Sequence, residues 1–458
     1  MKSSRSTIRQ KVHAVPALCF EDQQLTSFSG LIVFQKLFEQ LSLKSRLREC
    51  FRHWTVTPIF GPWRIVLLLV VHLLLGYREL RHVKYYADDP LVLRFLGVTR
   101  LPDGSTITRT LSAMDAVGVE KLQRLISDEV LARLQRIAPQ RITIDFDGSV
   151  IGTGRYAEGA AVGFNRKKKG QRSYYPLFCT VAQTGQVLAV LHRSGNVHDS
   201  NGAQAFIAQC IEQLRIALPG VAIEMRMDGA FFSDAIVSML DHQGVEYTIS
   251  APFERFSVLK QMIEARRRWH RLDADSDYVE TQWKPKSWPR KHRFVLVRRR
   301  SKIQHKEPVQ LDLFVPYEYG YEFKVVLTNK TLTPANTVAF HNGRGSQEGV
   351  FAELKSQSQM DYVPIRTWRG NQVYLLSAVL AHNLTRELHM RVREPMRTTQ
   401  PKRPALWHFE KLDTLRKRLV QRAGRLIRSK GKLTLSMSAN GAVKKDLLHI
   451  LEALEKTA

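Results

Sequence analysis

Three residues within one short run, Arg344, Glu348 and Lys355, have side chains and spacings suited to phosphate chemistry. Separations of four and seven residues are one and two turns of an α-helix, so a guanidinium, a carboxylate and an ammonium are expected on one helix face. Such a face offers a carboxylate to a metal ion between two cations that suit phosphate. Two upstream strand-like segments end in Asp147 and Asp228, which would complete a three-carboxylate site. Phosphodiester cleavage needs a water deprotonated near neutral pH and charge on the transferring phosphate offset. A pair of divalent ions roughly 4 Å apart does both, and two or three convergent carboxylates suffice for magnesium.

Each candidate also has a structural reading. An aspartate before glycine at a strand end, as in Asp147-Gly148 and Asp228-Gly229, is a common turn former. Asp145 shares a strand face with Asp147, but Asp147 is favoured because it sits nearest the strand end. Glu353 is a rival to Glu348, yet lies about 140° around the helix from the Arg344, Glu348 and Lys355 face. Arg344 and Glu348 could also form a solvent-facing pair of the i, i+4 kind.

The elements that must position these residues are legible from periodicity. Residues 140–150 alternate, with Ile142, Ile144 and Phe146 on one face and Thr143, Asp145 and Asp147 on the other. Residues 175–182, 187–192 and 221–228 are further strand candidates, and 202–217 and 233–243 are helix candidates. Strands followed by alternating helix and strand predict an α/β domain with a mixed sheet. Between Asp228 and Glu348 lie 119 residues, more than one strand and one helix require. Strand-like runs at 277–283, 292–299 and 321–328 predict a β-rich insertion. Its residues 254–308 hold 16 Lys and Arg against 7 Asp and Glu, which suits a surface facing nucleic acid or a solvated charged face. Trp283 and Trp288 could stack on a base displaced during cleavage, or pack internally.

Upstream, apolar residues at helical spacing in 27–49, 63–80 and 119–136 predict helices. The run from Asp103 reads as a turn with a Ser105 or Thr106 cap and a helix carrying Arg109. Such short helices could form a helix-turn-helix or an ordinary bundle. Residues 367–392 predict a long amphipathic helix packed back on the sheet. Pro395, Pro401 and Pro404 predict a linker, and residues 391–458, with 17 Lys and Arg against 6 Asp and Glu, a basic region helical around 412–429.

Composition agrees with a polyanionic partner. The 458 residues carry 70 Lys and Arg against 42 Asp and Glu, a net charge of +28. Neutralising phosphates with that excess releases counterions and adds salt-dependent affinity. Four cysteines without C-x-x-C spacing argue against a zinc ribbon or disulfide framework and suit a reducing cytoplasm. The first residues lack a secretory apolar stretch. The run from Ile65 to Leu75 is short of the roughly 20 residues needed to span a bilayer, and reads as a buried core helix. No membrane association is therefore expected. Nor is a nucleotide cofactor, since no G-x-x-x-x-G-K-[ST] loop occurs.

With these residues assembled, the chain resembles the DDE transposases of bacterial insertion sequences, in the group whose third carboxylate sits in a Tyr-x2-Arg-x3-Glu-x6-Lys pattern. That pattern reads His341-x2-Arg344-x3-Glu348-x6-Lys355 here, with His in place of Tyr. The stretches Leu191 to Ala203, Arg226 to Phe231, Asn371 to Leu376 and Asn383-Leu384 are also similar to this family. The resemblance implies an α/β ribonuclease H-like catalytic domain over 136–392, split by a β-rich insertion at about 250–335. A helical DNA-binding region over 1–135 and a basic helical region over 393–458 would flank it. It implies Asp147, Asp228 and Glu348 as ligands of two Mg2+ ions, for which Mn2+ can substitute. His341, Arg344 and Lys355 would hold DNA phosphates. The implied activity is cleavage of double-stranded DNA at terminal inverted repeats and joining of the 3′-hydroxyls to target DNA, by a homodimer in the DNA complex, in a bacterial cytoplasm. Two alternatives are a catalytically silent DNA-binding regulator derived from such an enzyme and a basic protein that coats nucleic acid without sequence preference.

Overall fold

In chain order the N-terminal part holds a short strand β1 (Leu25–Thr26) and helices Leu31–Gln40, Leu43–Cys50, Pro62–Leu75, Pro90–Leu96, Gly104–Ser112 and Ala116–Ile137. The computed structural model describes residues 15–456 except 22, 56–58, 155, 164, 166–167, 199–200, 301–320 and 396–406. Pro62–Leu75 is apolar on nearly every side and is buried except at Trp63 and Arg64, so it forms the axis around which the other helices pack. Pro62 starts it where an N–H is not needed, and Gly76, with φ 95°, ends it. Arg416 then donates to the carbonyls of Leu73 and Leu74 in the last turn, the first of which also accepts the Gly76 N–H. The Gly104–Ser112 helix is capped by Asp103, not by Ser105 or Thr106 as the sequence predicts. The Asp103 carboxylate accepts the Thr106 N–H at 2.6 Å, and Ser105 merely donates to that same carboxylate. Among the described residues no helix is long and apolar enough to cross a membrane.

The middle of the chain contributes β2 (Arg141–Gly148), a small sheet of β3 (Ile151–Gly152), β4 (Ala161–Val162) and β5 (Arg172–Tyr174), then β6 (Leu177–Val181), β7 (Val187–Leu191), β8 (Ala222–Met227) and β9 (Glu246–Ser250). Strands β7-β6-β2-β8-β9 lie side by side in that order. β2, β8 and β9 run parallel, whereas β6 and β7 are antiparallel. This order and polarity define a ribonuclease H-like sheet. Helix Ala203–Ala217 makes the crossover from β7 to β8, and Asp234–His242 that from β8 to β9. β2 is buried on both faces from Ile142 to Phe146, as a central strand must be, and emerges at Arg141 and at Asp147 and Gly148.

The insertion does not form a separate body. Its strands β10 (His270–Arg271), β11 (Ser276–Trp283), β12 (His292–Arg300) and β13 (Tyr321–Thr328) continue the same sheet, because β13 pairs with β9 through Val326↔Ser250. The result is one nine-stranded sheet. Trp283 and Trp288 are core residues here, which removes the base-stacking reading. Trp288 stacks on Phe232 with centroids 4.8 Å apart, and Trp283 meets Phe256 and Phe294 edge-on.

Helices Pro334–Asn342, Ser346–Gln357 and Trp368–Val392 follow. The last packs against both Pro62–Leu75 and Ala116–Ile137, and its Asn383 pins the sheet by accepting the Val187 N–H and donating to the Val187 carbonyl. The predicted helix over 412–429 stops at Val420. Beyond it β14 (Gly424–Ser429) and β15 (Lys432–Met437) form a hairpin. Lys430 and Gly431 both have positive φ, which is the two-residue turn geometry that matches strand twist. β14 pairs with β1, and the final helix Gly441–Lys456 packs on Leu31–Gln40, so both terminal segments share one core. The break expected at Pro401 and Pro404 lies outside the described residues.

Candidate active site

Parallel pairing of β2 and β8 fixes the first two candidate carboxylates. The register ends at Phe146↔Met227, so Asp147 and Asp228 follow one step beyond on strands about 4.8 Å apart. Both also shape the local turn. Asp147 Oδ1 accepts the Gly148 N–H at 2.8 Å, and Asp228 Oδ1 accepts the Ala230 N–H at 2.9 Å in the 3-10 turn Gly229–Phe231. The turn-former reading and the site reading thus describe the same residues.

The third element arrives from the other side of the sheet end. Arg344 lies in a 3-10 turn, Gly343–Gly345, directly before Ser346–Gln357. That tighter turn breaks the single helical face expected for Arg344, Glu348 and Lys355. Arg344 Nη1 reaches Asp147 Oδ2 at 3.0 Å, both groups being half-buried. Lys355 faces a cavity of about 1110 Å³ whose lining includes Gly148, Ser149, Asp228, Arg78 and Arg255. Glu348 is exposed at the start of its helix. The three acids do not converge into a closed cluster. Among the described residues no group of three or more His, Cys, Asp or Glu side chains is arranged to hold a metal ion. Arg344, paired with Asp147, supplies positive charge at the carboxylate that an ion would otherwise neutralise.

The two rival acids are committed elsewhere. Asp145 is buried with its carboxylate in a two-point pair with Arg226, both contacts at 2.6 Å. Glu353 is buried against Arg386 at 2.5 Å. His341 differs from the phosphate-binding role the resemblance implies. Its ring is buried, Nδ1 lies 3.0 Å from the Thr248 hydroxyl and Nε2 2.9 Å from the Ser250 hydroxyl. Burial, aided by the charges of Lys324, Arg344 and Arg226, holds its pKa well below the ordinary range, so it is neutral. In this position it ties the Pro334–Asn342 helix to β9.

Two charged residues beside the site, Arg226 and Lys324, carry no distinct signal in the sequence. Arg226 was visible only as part of a similar stretch, because its partner is across a parallel register. Lys324, on β13, donates to Asn342 Oδ1 at 2.7 Å beside Arg344. Burial and that neighbouring charge pull its pKa down to about 8. Alternation in 321–328 could have placed it on a face but not next to Arg344. Asn371, in another of the similar stretches, bonds the backbone of Ile365 and the Tyr174 hydroxyl, so its role is structural.

No curated protein is significantly similar in sequence. Among solved structures, a piggyBac transposase synaptic complex with hairpin DNA is 12% identical, with a TM-score of 0.42, over 78% of this chain and 74% of that one. A Mos1 transposase paired-end complex with the left transposon end is 11% identical, with a TM-score of 0.19, over 37% of this chain and 57% of the other. Scores at this level are too low to bear on the fold, which rests on the strand order above. The sequence profile of the family described as Transposase DDE domain group 1 matches residues 10–458, nearly the whole chain. The protein therefore belongs to the DDE transposases of that group.

Proposed function

We propose that this transposase cuts DNA at the terminal inverted repeats of its element and joins the freed 3′-hydroxyls to target DNA. The observation that carries the reading is the β2–β8 register, which brings Asp147 and Asp228 together at neighbouring strand ends beside Arg344 and Lys355. Asp147 and Asp228 at two adjacent strand ends offer oxygen donors of the kind a hard cation such as Mg2+ or Mn2+ takes, and the exposed Glu348 at the start of the next helix would close on them to complete the set. Asp147, Asp228 and Glu348 would hold two such ions, which when bound supply an ionised water and offset phosphate charge.

The chain's own groups do the rest. Arg344 and Lys355 hold non-bridging phosphate oxygens on either side of the carboxylates, Arg344 through a fork suited to two-point contact. His341 acts as a strut and not as a phosphate ligand. Exposed Arg266, Arg267 and Arg268 beside the inserted strands extend the cationic track along the DNA backbone. Joining two DNA ends calls for two active sites, hence a homodimer on DNA.

The deciding experiment uses a plasmid carrying the element ends. Asp147→Asn should lose strand cleavage while binding end DNA within twofold of wild type. Cutting at the wild-type rate by that variant would overturn the site. A silent DNA-binding regulator predicts no metal-dependent cutting by the wild-type protein at all.

A further inference from the structure

We infer that the buried Asp145–Arg226 pair is the positioning element of this site, holding the two aspartate-bearing strands and the glutamate-bearing helix in mutual register. The inference rests on the proposed roles of Asp147, Asp228 and Glu348. Asp145 and Arg226 are direct partners across β2 and β8, and each stands two residues before one of the candidate ligands. Side chains two apart on a strand share a face, so the pair lies immediately behind Asp147 and Asp228.

The same guanidinium also reaches the third element. Arg226 Nη1 donates to the Phe340 carbonyl at 3.3 Å, and its charge sits 5.4 Å from the centre of the Phe340 ring. Gly343 packs so closely that a Cβ there would lie 2.0 Å from Arg226 Nη1. Gly343 precedes Arg344, which holds Asp147. From the other side Gln347, next to Glu348, donates to the Asp145 carbonyl at 3.1 Å. Both strands, and the segment from Phe340 to Gln347 that leads into the glutamate-bearing helix, are therefore linked through Asp145 and Arg226.

A stability role alone does not account for the pair. Two charges at the centre of a sheet are costly to desolvate, and well-packed apolar side chains commonly serve as well or better. What an apolar pair lacks is a planar fork that fixes two strands and a helix end at set angles. The pair also leaves Asp145 unsuited as an ion ligand, which separates its role from that of Asp147.

The test uses the full chain with end DNA and three variants: Arg226→Lys, Asp145→Asn and Gly343→Ala. Two quantities are followed, Mn2+ binding to the protein–DNA complex by electron paramagnetic resonance of the free ion, and the Mg2+ concentration giving half-maximal cleavage. Loss of an outer-shell partner should weaken Mn2+ binding on the order of tenfold in Arg226→Lys and Asp145→Asn, with DNA affinity within twofold. Gly343→Ala keeps both charges and a glycine φ of −56° that alanine adopts freely, so it disturbs only the guanidinium position. A shift of a few-fold in the same direction is expected there. If Arg226→Lys does not fold, Gly343→Ala carries the test alone. Wild-type Mn2+ binding and Mg2+ dependence in the folded variants would overturn the inference. Failure of the underlying site reads out separately, as Asp147→Asn retaining both cleavage and Mn2+ binding.

Discussion

The two halves of the nine-stranded sheet use charge in opposite ways. In the β2-β8-β9 half, parallel strands deliver acids to one edge and bury the compensating arginine behind them. In the β10-β13 half, antiparallel strands pair acids and bases across the face. Asp277 and Arg298 are register partners 3.0 Å apart, and Arg293 holds Glu280 at 3.0 Å. Arg298 is further sandwiched between Trp269 and Tyr321. Arg293 and Arg298 are therefore structural, whereas Arg266–Arg268 are exposed and are the residues proposed above to meet DNA. The comparison teaches that parallel strand ends make a point of chemistry while an antiparallel meander widens the platform beside it.

The largest expected effect falls on the parallel half. Asp228→Asn should lower strand cleavage by about three orders of magnitude, about 4 kcal/mol in barrier, with end binding unchanged in a gel shift. Equal losses of cleavage and binding would erase the contrast between the halves. Next comes packing in the inserted half. Trp288→Ala, which removes the ring stacked on Phe232, should cost about 3–5 kcal/mol in denaturant unfolding. A loss below 1 kcal/mol would mean that β10–β13 fold independently of the platform.

Charge on the inserted half is a smaller effect. Replacing Arg266, Arg267 and Arg268 with alanine should reduce the slope of log affinity against log salt by about 2.7, with cleavage at saturating protein retained. An unchanged slope would place the DNA elsewhere. The smallest effect is a titration. Lys324 binds its proton less tightly in the folded chain, with a pKa near 8 against the ordinary 10.5. Between those values the unfolded chain holds more protons, so stability rises with pH across that window. Lys324→Met should flatten that rise in denaturant midpoints measured from pH 7.5 to 10.5.

Legibility followed the range of the interaction. Pattern located β2, β6, β7, β8, β11, β12 and β13 to within about two residues, since each strand reports its own period, whereas β9 and the two-residue β10 were not located. Alternation put Asp145 and Asp147 on one face, and only the position at the strand end favoured Asp147; Asp145 is paired with Arg226. What could not be read were partners set by tertiary register: Asp145 with Arg226, Lys324 with Asn342, and the seating of His341 between Thr248 and Ser250. The C-terminal hairpin was missed for a different reason. Its leucines and basic residues fit a helical period, while the Lys430-Gly431 turn between short polar-faced strands is a weaker signal. The role proposed for Glu348 rests on spacing, and the 3-10 turn at Gly343–Gly345 changes the face that Arg344 presents.

The pairing of Thr26 with Gly424 joins segments nearly 400 residues apart. During synthesis the first helices leave the ribosome long before β14 and the Gly441–Lys456 helix exist. Until then the apolar axis at Pro62–Leu75 lacks Arg416 to close its end and the last helix to cover its neighbours. Completion of the helical body thus waits until residues 416–456 have been made, a high-contact-order step that is slow and exposes apolar surface. Nascent chains arrested before residue 421 should remain protease-sensitive in residues 25–112, and release of the full chain should protect them.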